Sequence, residues 1–267
     1  MNIFLILSLF LVVGCPSSQG SEGLVGNKDN IIFKYENSFT SPYIPPIYED
    51  LRMVGFNIKG INIYTLEEDY LLKITMDRPI IQGSDISLRW ENILFDIYVN
   101  TGKGKHKHTM KDRNVKLKGG WDKAILLSPA NNFLNEKEVH RSRKVYDDFS
   151  VVEDLVPDIS IAKDIKVEGD SIYVRLEKSV VEKICGIQVF VMGIGIEEGD
   201  DGKSIDLFKV KELPTSNSFG GGVSNAASPN IAHLLGPVGK LNSFEVSAHR
   251  VKFAEVDMVE VNEEKDI

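Results

Sequence analysis

The one basic run in this 267-residue chain is TGKGKHKHTMKDRNVKLK, residues 101–118. Lys103, Lys105, Lys107, Lys111, Arg113, Lys116 and Lys118, with His106 and His108, could pair with an anionic cell-wall polymer or with lipid headgroups. His106 and His108 also supply half of a metal site, but two histidines without further ligands do not define one. A solvated hairpin loop accounts for the same composition and is the expectation for this run. The acidic stretch EEGDDGK (197–203) is dense enough in carboxylates for Ca²⁺. It lacks the EF-hand spacing, so a charged turn between strands is expected, and Ca²⁺ is the one metal left open. No organic cofactor is implied. FGGGVSN (219–225) could cradle a phosphate but reads as a mobile loop, and GIGIEEG lacks the spacing of a dinucleotide loop. Gly-x-Ser-x-Gly, His-Glu-x-x-His and P-loop motifs are absent, so the chain is expected not to be an enzyme. The paired carboxylates of a glycosidase leave no local motif, and 39 acidic residues could supply such a pair anywhere.

Two cysteines stand in different settings. Cys185, flanked by Ile184, Ile187 and Val189, is expected to be a small core residue. One remaining cysteine builds neither a disulfide framework nor a zinc site. Cys15 sits in LFLVVGCPSSQGSEG, where an apolar run gives way to small polar residues. Residues 1–14, MNIFLILSLFLVVG, carry no charge. They are too short for a membrane span, which needs roughly 20 apolar residues, and match the apolar region of a secretory signal. Val12-Val13-Gly14-Cys15 resembles the lipobox of bacterial lipoproteins, although the usual basic start is missing. The resemblance implies cleavage before Cys15, lipid on its thiol, and an exported protein anchored to the membrane of the cell envelope. One acyl chain holds only marginally, so two or three are implied. Residues 1–14 are therefore expected to be a signal peptide and residues 15–42 a flexible tether.

The remainder must fold on its own core. Hydrophobic residues make up 42% and charged residues 26%, an ordinary globular balance. The net charge of −8 argues against general nucleic-acid binding. From Met53 onward, segments rich in β-branched and aromatic residues alternate with turn residues: 56–64, DYLLKITM (69–76), ENILFDIYVN (91–100), KAILLS (123–128), ISIAKDIKV (159–167), DSIYVRLE (170–177), GIQVFVMGIGI (186–196), DLFKVKEL (206–213) and VKFAEVDMVEVN (251–262). SPNIAHLL (228–235) is the best helix, with Ser228 as cap, Pro229 in the first turn and Gly236-Pro237 as stop. KSVVEKI (178–184) marks a single turn. Many strands and few helices predict an all-β fold, a two-sheet antiparallel β-sandwich of jelly-roll type with one or two short helices.

The order of VGFNIKGINIYTLEEDYLLKITMD (54–77), ILFDIYVNTG (93–102), GGWDKAILLSP (119–129), IKVEGDSIYVRLEKSVV (165–181), IQVFVMG (187–193) and FGGGVSNAASPNIAHLLGP (219–237) resembles the C-terminal binding module of glucodextranase. That module sits within the broader class of family-9 carbohydrate-binding and DOMON-like sandwiches. The resemblance covers residues 43–262, leaving 263–267 as a tail. It implies a non-catalytic sandwich that binds polysaccharide or attaches at the cell surface. Members often open with an acidic loop, and YENSFTSPYIPPIYED here lacks that cluster, which removes the basis for a metal in that loop.

Sugar binding calls for flat aromatic faces and a few orienting polar groups. The candidates are Trp90, beside Arg89 and Glu91, which a sugar face or the core would suit equally; Trp121 and Asp122, after Gly119-Gly120, although Trp121 at the start of a strand is expected to pack over the core; and Tyr98, which alternates to the face opposite Ile97 and Val99, where a half-exposed tyrosine is the ordinary outcome. Three readings make different forecasts. A surface-anchored module for a polysaccharide or oligosaccharide puts Trp90 or Tyr98 at an exposed groove. A structural or attachment protein of the envelope buries the tryptophans and exposes an apolar or basic patch toward a partner. A glycoside-acting enzyme needs two carboxylates facing each other about 5–10 Å apart.

Overall fold

The computed structural model describes residues 30–47, 55–81, 83, 90, 92–129, 136–139, 144–147, 150–162, 164–199, 202–225, 227–247 and 250–262. Residues 1–14, expected to be a signal peptide, Cys15, Arg89, Glu91, Asp200, Asp201 and residues 263–267 lie outside them.

The alternating and continuous apolar runs form two main sheets. Sheet one has the order β1 (Ile31–Glu36), β2 (Ile58–Thr65), β3 (Asp69–Met76), β12 (Ser171–Glu177), β11 (Ile165–Glu168), antiparallel throughout. Sheet two has the order β10 (Ile159–Ile161), β7 (Lys123–Leu127), β4 (Ile93–Asn100), β13 (Gly186–Gly199), β14 (Gly202–Leu207). β17 (His233–Leu234) and β21 (Val259–Glu260) add to β13, and β10 runs parallel to β7. A smaller sheet joins β5 (His106–His108), β6 (Val115–Trp121) and β20 (Ala254–Asp257). Short pairs complete the fold: β8 (Lys144–Asp147) with β9 (Ser150–Asp154), β15 (Lys209–Val210) with β16 (Ser218–Phe219), and β18 (Glu245–Ser247) with β19 (Arg250–Lys252).

One hydrophobic cluster unites the inward residues of both main sheets: Ile61, Leu72 and Val174 from sheet one, with Phe95, Ile125 and Val189 from sheet two. This is the expected β-sandwich. β4 explains why it needs polar reinforcement. Its residues Ile93 to Val99 are all buried, so Asp96 is carried into the interior by its neighbours. A buried charge must be paired, and Arg113 supplies the partner.

Four local expectations are corrected. Residues 31–36, assigned to the tether, form β1, because Phe33 and Tyr35 alternate onto the core. ISIAKDIKV is two strands rather than one. β10 ends at Ile161 in sheet two, and β11 begins at Ile165 in sheet one, so the chain crosses between sheets around Asp164. SPNIAHLL is not a helix. Ser228 to Leu235 are buried on every side, which leaves no polar face for an amphipathic helix. The backbone bonds outward instead, with Asn230 N–H donating to Arg113 O and Ala232 N–H to Val191 O. VKFAEVDMVEVN breaks into β19, β20 and β21, each with a different partner. KSVVEKI is a single turn, with Val180 and Val181 N–H both donating to Glu177 O.

His233 ties the N-terminal segment to this core. Its Nδ1 accepts from Ile58 N–H at 3.2 Å, so Nε2 carries the proton and donates to Phe39 O at 3.1 Å. Burial pushes its pKa down to about 4, against the smaller opposing effects of the Phe39 carbonyl and Asp77.

Candidate functional site

Trp90, Tyr98 and Trp121 are fully buried, so none offers a face to a sugar ring, and the exposed-aromatic groove is not found at these residues. Each has a structural task. Trp90 Nε1–H donates to Ile93 O at 2.8 Å, and its ring meets Phe95 edge-on. The Tyr98 hydroxyl donates to Asp96 at 3.1 Å and accepts from Met110 N–H at 3.1 Å. Burial raises the Tyr98 pKa well above its ordinary value, and the neighbouring Asp96 charge adds to that. Trp121 Nε1–H donates to His108 O at 2.8 Å, and its ring lies 4.6 Å from that of His106.

The basic run is not a solvated hairpin. His106, His108 and Arg113 are all buried. Arg113 Nε reaches Asp96 at 2.7 Å, Nη2 reaches it at 3.2 Å, and Nη1 reaches Glu138 at 2.7 Å. Burial opposes the guanidinium charge, but Asp96 and Glu138 outweigh it and hold the pKa above its usual value.

Asp122 organises the start of the run. Its carboxylate accepts from the N–H groups of Thr101 (2.7 Å), Lys103 (3.2 Å), Gly104 (3.2 Å) and Lys105 (2.9 Å), and from the Thr101 hydroxyl (2.9 Å). Burial raises its pKa, but these bonds outweigh that and lower it. The loop closes tightly because Gly104 and Gly120, both at positive φ, pass so near that a Cβ on Gly120 would lie 2.5 Å from Gly104 O. Only glycine takes that backbone without strain.

This loop presents Lys105 to a second carboxylate. Asp158, at the start of the edge strand β10, accepts from His106 Nε2 at 2.8 Å, from Lys123 Nζ at 2.8 Å and from Lys105 Nζ. Burial raises its pKa, but the three donors hold it well below the usual carboxylate range. The carboxylate is only 11% exposed, whereas Lys105 is 58% and Lys123 31% exposed. The anion lies beneath, and both lysine side chains keep part of their surface in solvent.

Both lysines border an open cleft of about 560 Å³ lined by Thr101, Lys103, Lys105, Asp122, Lys123, Asp158, Ser160, Ser179, Val180 and Glu182. A second cleft, of about 400 Å³, shares Ser160 and Val180 and continues over Ile125, Ile161, Ala162, Leu176 and Val181 to Glu136, Asp164, Arg175 and Glu177. Together they make one groove beside the edge strands β10 and β11, lined by aliphatic side chains and by charged and hydroxyl groups. Of the sequence candidates, it contains Asp122. Lys105 belonged to the basic run, but Lys123, Asp158, Ser160 and Ser179 went unrecognised as site residues, because the sheet crossing that gathers them is visible only in three dimensions. Val-Pro-Asp-Ile-Ser (156–160), a proline–aspartate turn opening a short strand, was the available signal.

Among the described residues no group of three or more His, Cys, Asp or Glu side chains could hold a metal ion, and no helix is long and apolar enough to cross a membrane. Cys185 is half-buried and free, next to Gly102.

A family model described as the C-terminal, SLH-like binding module of glucodextranase matches residues 43–252. No curated protein matches the chain significantly.

Proposed function

The chain belongs to the family of C-terminal, SLH-like binding modules of glucodextranase, and from that membership we propose that it is a non-catalytic module binding a polysaccharide at the cell surface. The family match carries the reading, since it is to a binding module and not to a catalytic domain. The groove beside β10 and β11 is its binding site. Aliphatic side chains beside charged and hydroxyl groups suit an extended sugar chain, whose hydroxyls exchange hydrogen bonds with charged groups while its C–H faces lie on apolar side chains. Cys15 is the lipid attachment point, and Cys15→Ser should move the protein out of the membrane fraction.

Thermal melts of the full chain with α- and β-glucans, xylan fragments and purified cell-wall polymer, with and without Ca²⁺, test this. A ligand at 100 times its Kd stabilises the native state by about 2.7 kcal/mol, a readable shift. One class of polysaccharide should give a saturable shift, and Ser160→Trp, which fills the waist shared by the two clefts, should abolish it. No shift with any glycan would overturn the proposal.

A second reading, an envelope attachment protein contacting a partner, has its own support. Both tryptophans are buried, and Ile44, Ile47 and Leu213 stand exposed beside Pro45, Pro46 and Pro214. Failure of the glycan melts would favour it.

A further inference from the structure

The groove is electrically polarised. At one end Lys103, Lys105 and Lys123 line the opening with one exposed carboxylate, Glu182, while Asp122 and Asp158 beneath them are buried and saturated with donors. At the other end Glu136, Asp164 and Glu177 are exposed, and the charge of Arg175 is drawn toward Asp69 at 3.5 Å. Asp158 holds Lys105 and Lys123 in place, so two cations are positioned before any ligand arrives, which lowers the ordering cost of binding. Lys103 is exposed, and its side chain makes no bond among the described residues.

Resting on the polysaccharide reading, we propose that the ligand is an anionic glycan whose carboxylate or phosphate group is seated against Lys103, Lys105 and Lys123, with uncharged sugar residues running over Val180 and Ile161 toward the acidic end. The acidic end repels a second anion, so the groove fixes the direction in which the chain lies. The net charge of −8 repels polyanions from the rest of the surface. Binding of a polyanion therefore reports a local site.

The test titrates the full chain with uncharged dextran, carboxymethyl-dextran and dextran phosphate, the last two separating carboxylate from phosphate. At least one charged dextran should bind about tenfold more tightly than dextran, and that advantage should shrink with salt. Lys103→Glu, at an exposed side chain outside the Asp158 cluster, should cost the charged polymer about threefold, and Lys123→Gln a similar factor. Glu182→Gln, which removes the outward carboxylate at that end, should tighten it about twofold. Equal binding of all three dextrans overturns the inference and leaves the polysaccharide reading standing. Charged dextrans that bind regardless of Lys103→Glu and Lys123→Gln overturn it by placing the anion elsewhere. Binding of none overturns it as well, and the polysaccharide reading then stands or falls on the glucan, xylan and cell-wall polymer melts.

Discussion

Two clusters in this molecule use the same groups to opposite ends. In the first, Asp96 and Glu138 clasp Arg113, with all three side chains essentially out of solvent. In the second, Asp158 gathers Lys105, Lys123 and His106, and its lysines remain open to the cleft. The first is closed because β4 carries Asp96 into the core and the 101–114 segment must fold back to neutralise it. It anchors the loop. The second is open because Asp158 sits at an edge strand, where sheet two ends. It presents cations. A buried ion pair whose partners face only each other fixes structure, and one whose cations keep part of their surface in solvent retains donors for a ligand.

Breaking the closed cluster gives the largest effect. Arg113→Leu strands two buried carboxylates and should cost about 3–5 kcal/mol in urea unfolding. At temperatures where the variant remains folded, its affinity for glycan should change little. The next effect lies outside both clusters and calibrates them. His233 is neutral in the fold with its pKa pushed down to about 4, against an ordinary value near 6.5. The unfolded chain therefore binds the extra proton between these values. Stability is fully present above pH about 6.5, and on the order of 3 kcal/mol is lost as pH falls to about 4. His233→Gln should flatten unfolding free energy in that window. Asp158→Asn comes third. It removes a carboxylate that takes three donors and should cost about 1–3 kcal/mol, while loosening the lysines and weakening glycan binding. The carboxyl is held below its usual range. The wild type should lose the corresponding stability only as pH drops below about 4, where ordinary carboxylates protonate, and the variant should not. Lys123→Gln has the smallest effect on stability, under about 1 kcal/mol, yet it should impair binding more than Arg113→Leu does. If Arg113→Leu and Lys123→Gln affect stability and binding in equal proportion, the contrast between the clusters fails.

The sandwich was legible in the sequence because its signal is local. Alternation in β3 and β12 and the apolar runs of β4 and β13 each report their own burial. The glucodextranase-module resemblance was legible for the same reason, in the order of short motifs. The groove was less so. In the sequence Asp122 stands out only for its place beside Trp121, whereas its work is to hold the 101–105 backbone. Trp90 and Tyr98 misled because an aromatic ring has the same composition whether it stacks on a sugar or packs in a core, whereas Trp121 packs in the core as expected. Tyr98 alternates away from Ile97 and Val99, but the face it enters is also covered, by Trp121 and Phe190. Arg113 looked like one basic residue among seven. Its burial follows from Asp96, 17 positions earlier on a strand whose two faces are both covered. The false helix at 228–235 had good end signals, but it lies where the chain has no solvent side.

The most direct test of the groove as the proposed binding site is backbone hydrogen exchange in the full chain, with and without the polysaccharide that gives the largest thermal shift. Exchange should slow at 101–105, 158–161 and 178–182, and should not change at 44–47 or 213–215. Slowing at 44–47 and 213–215, with the groove segments unchanged, would place the ligand on the proline-rich patch and not in the groove.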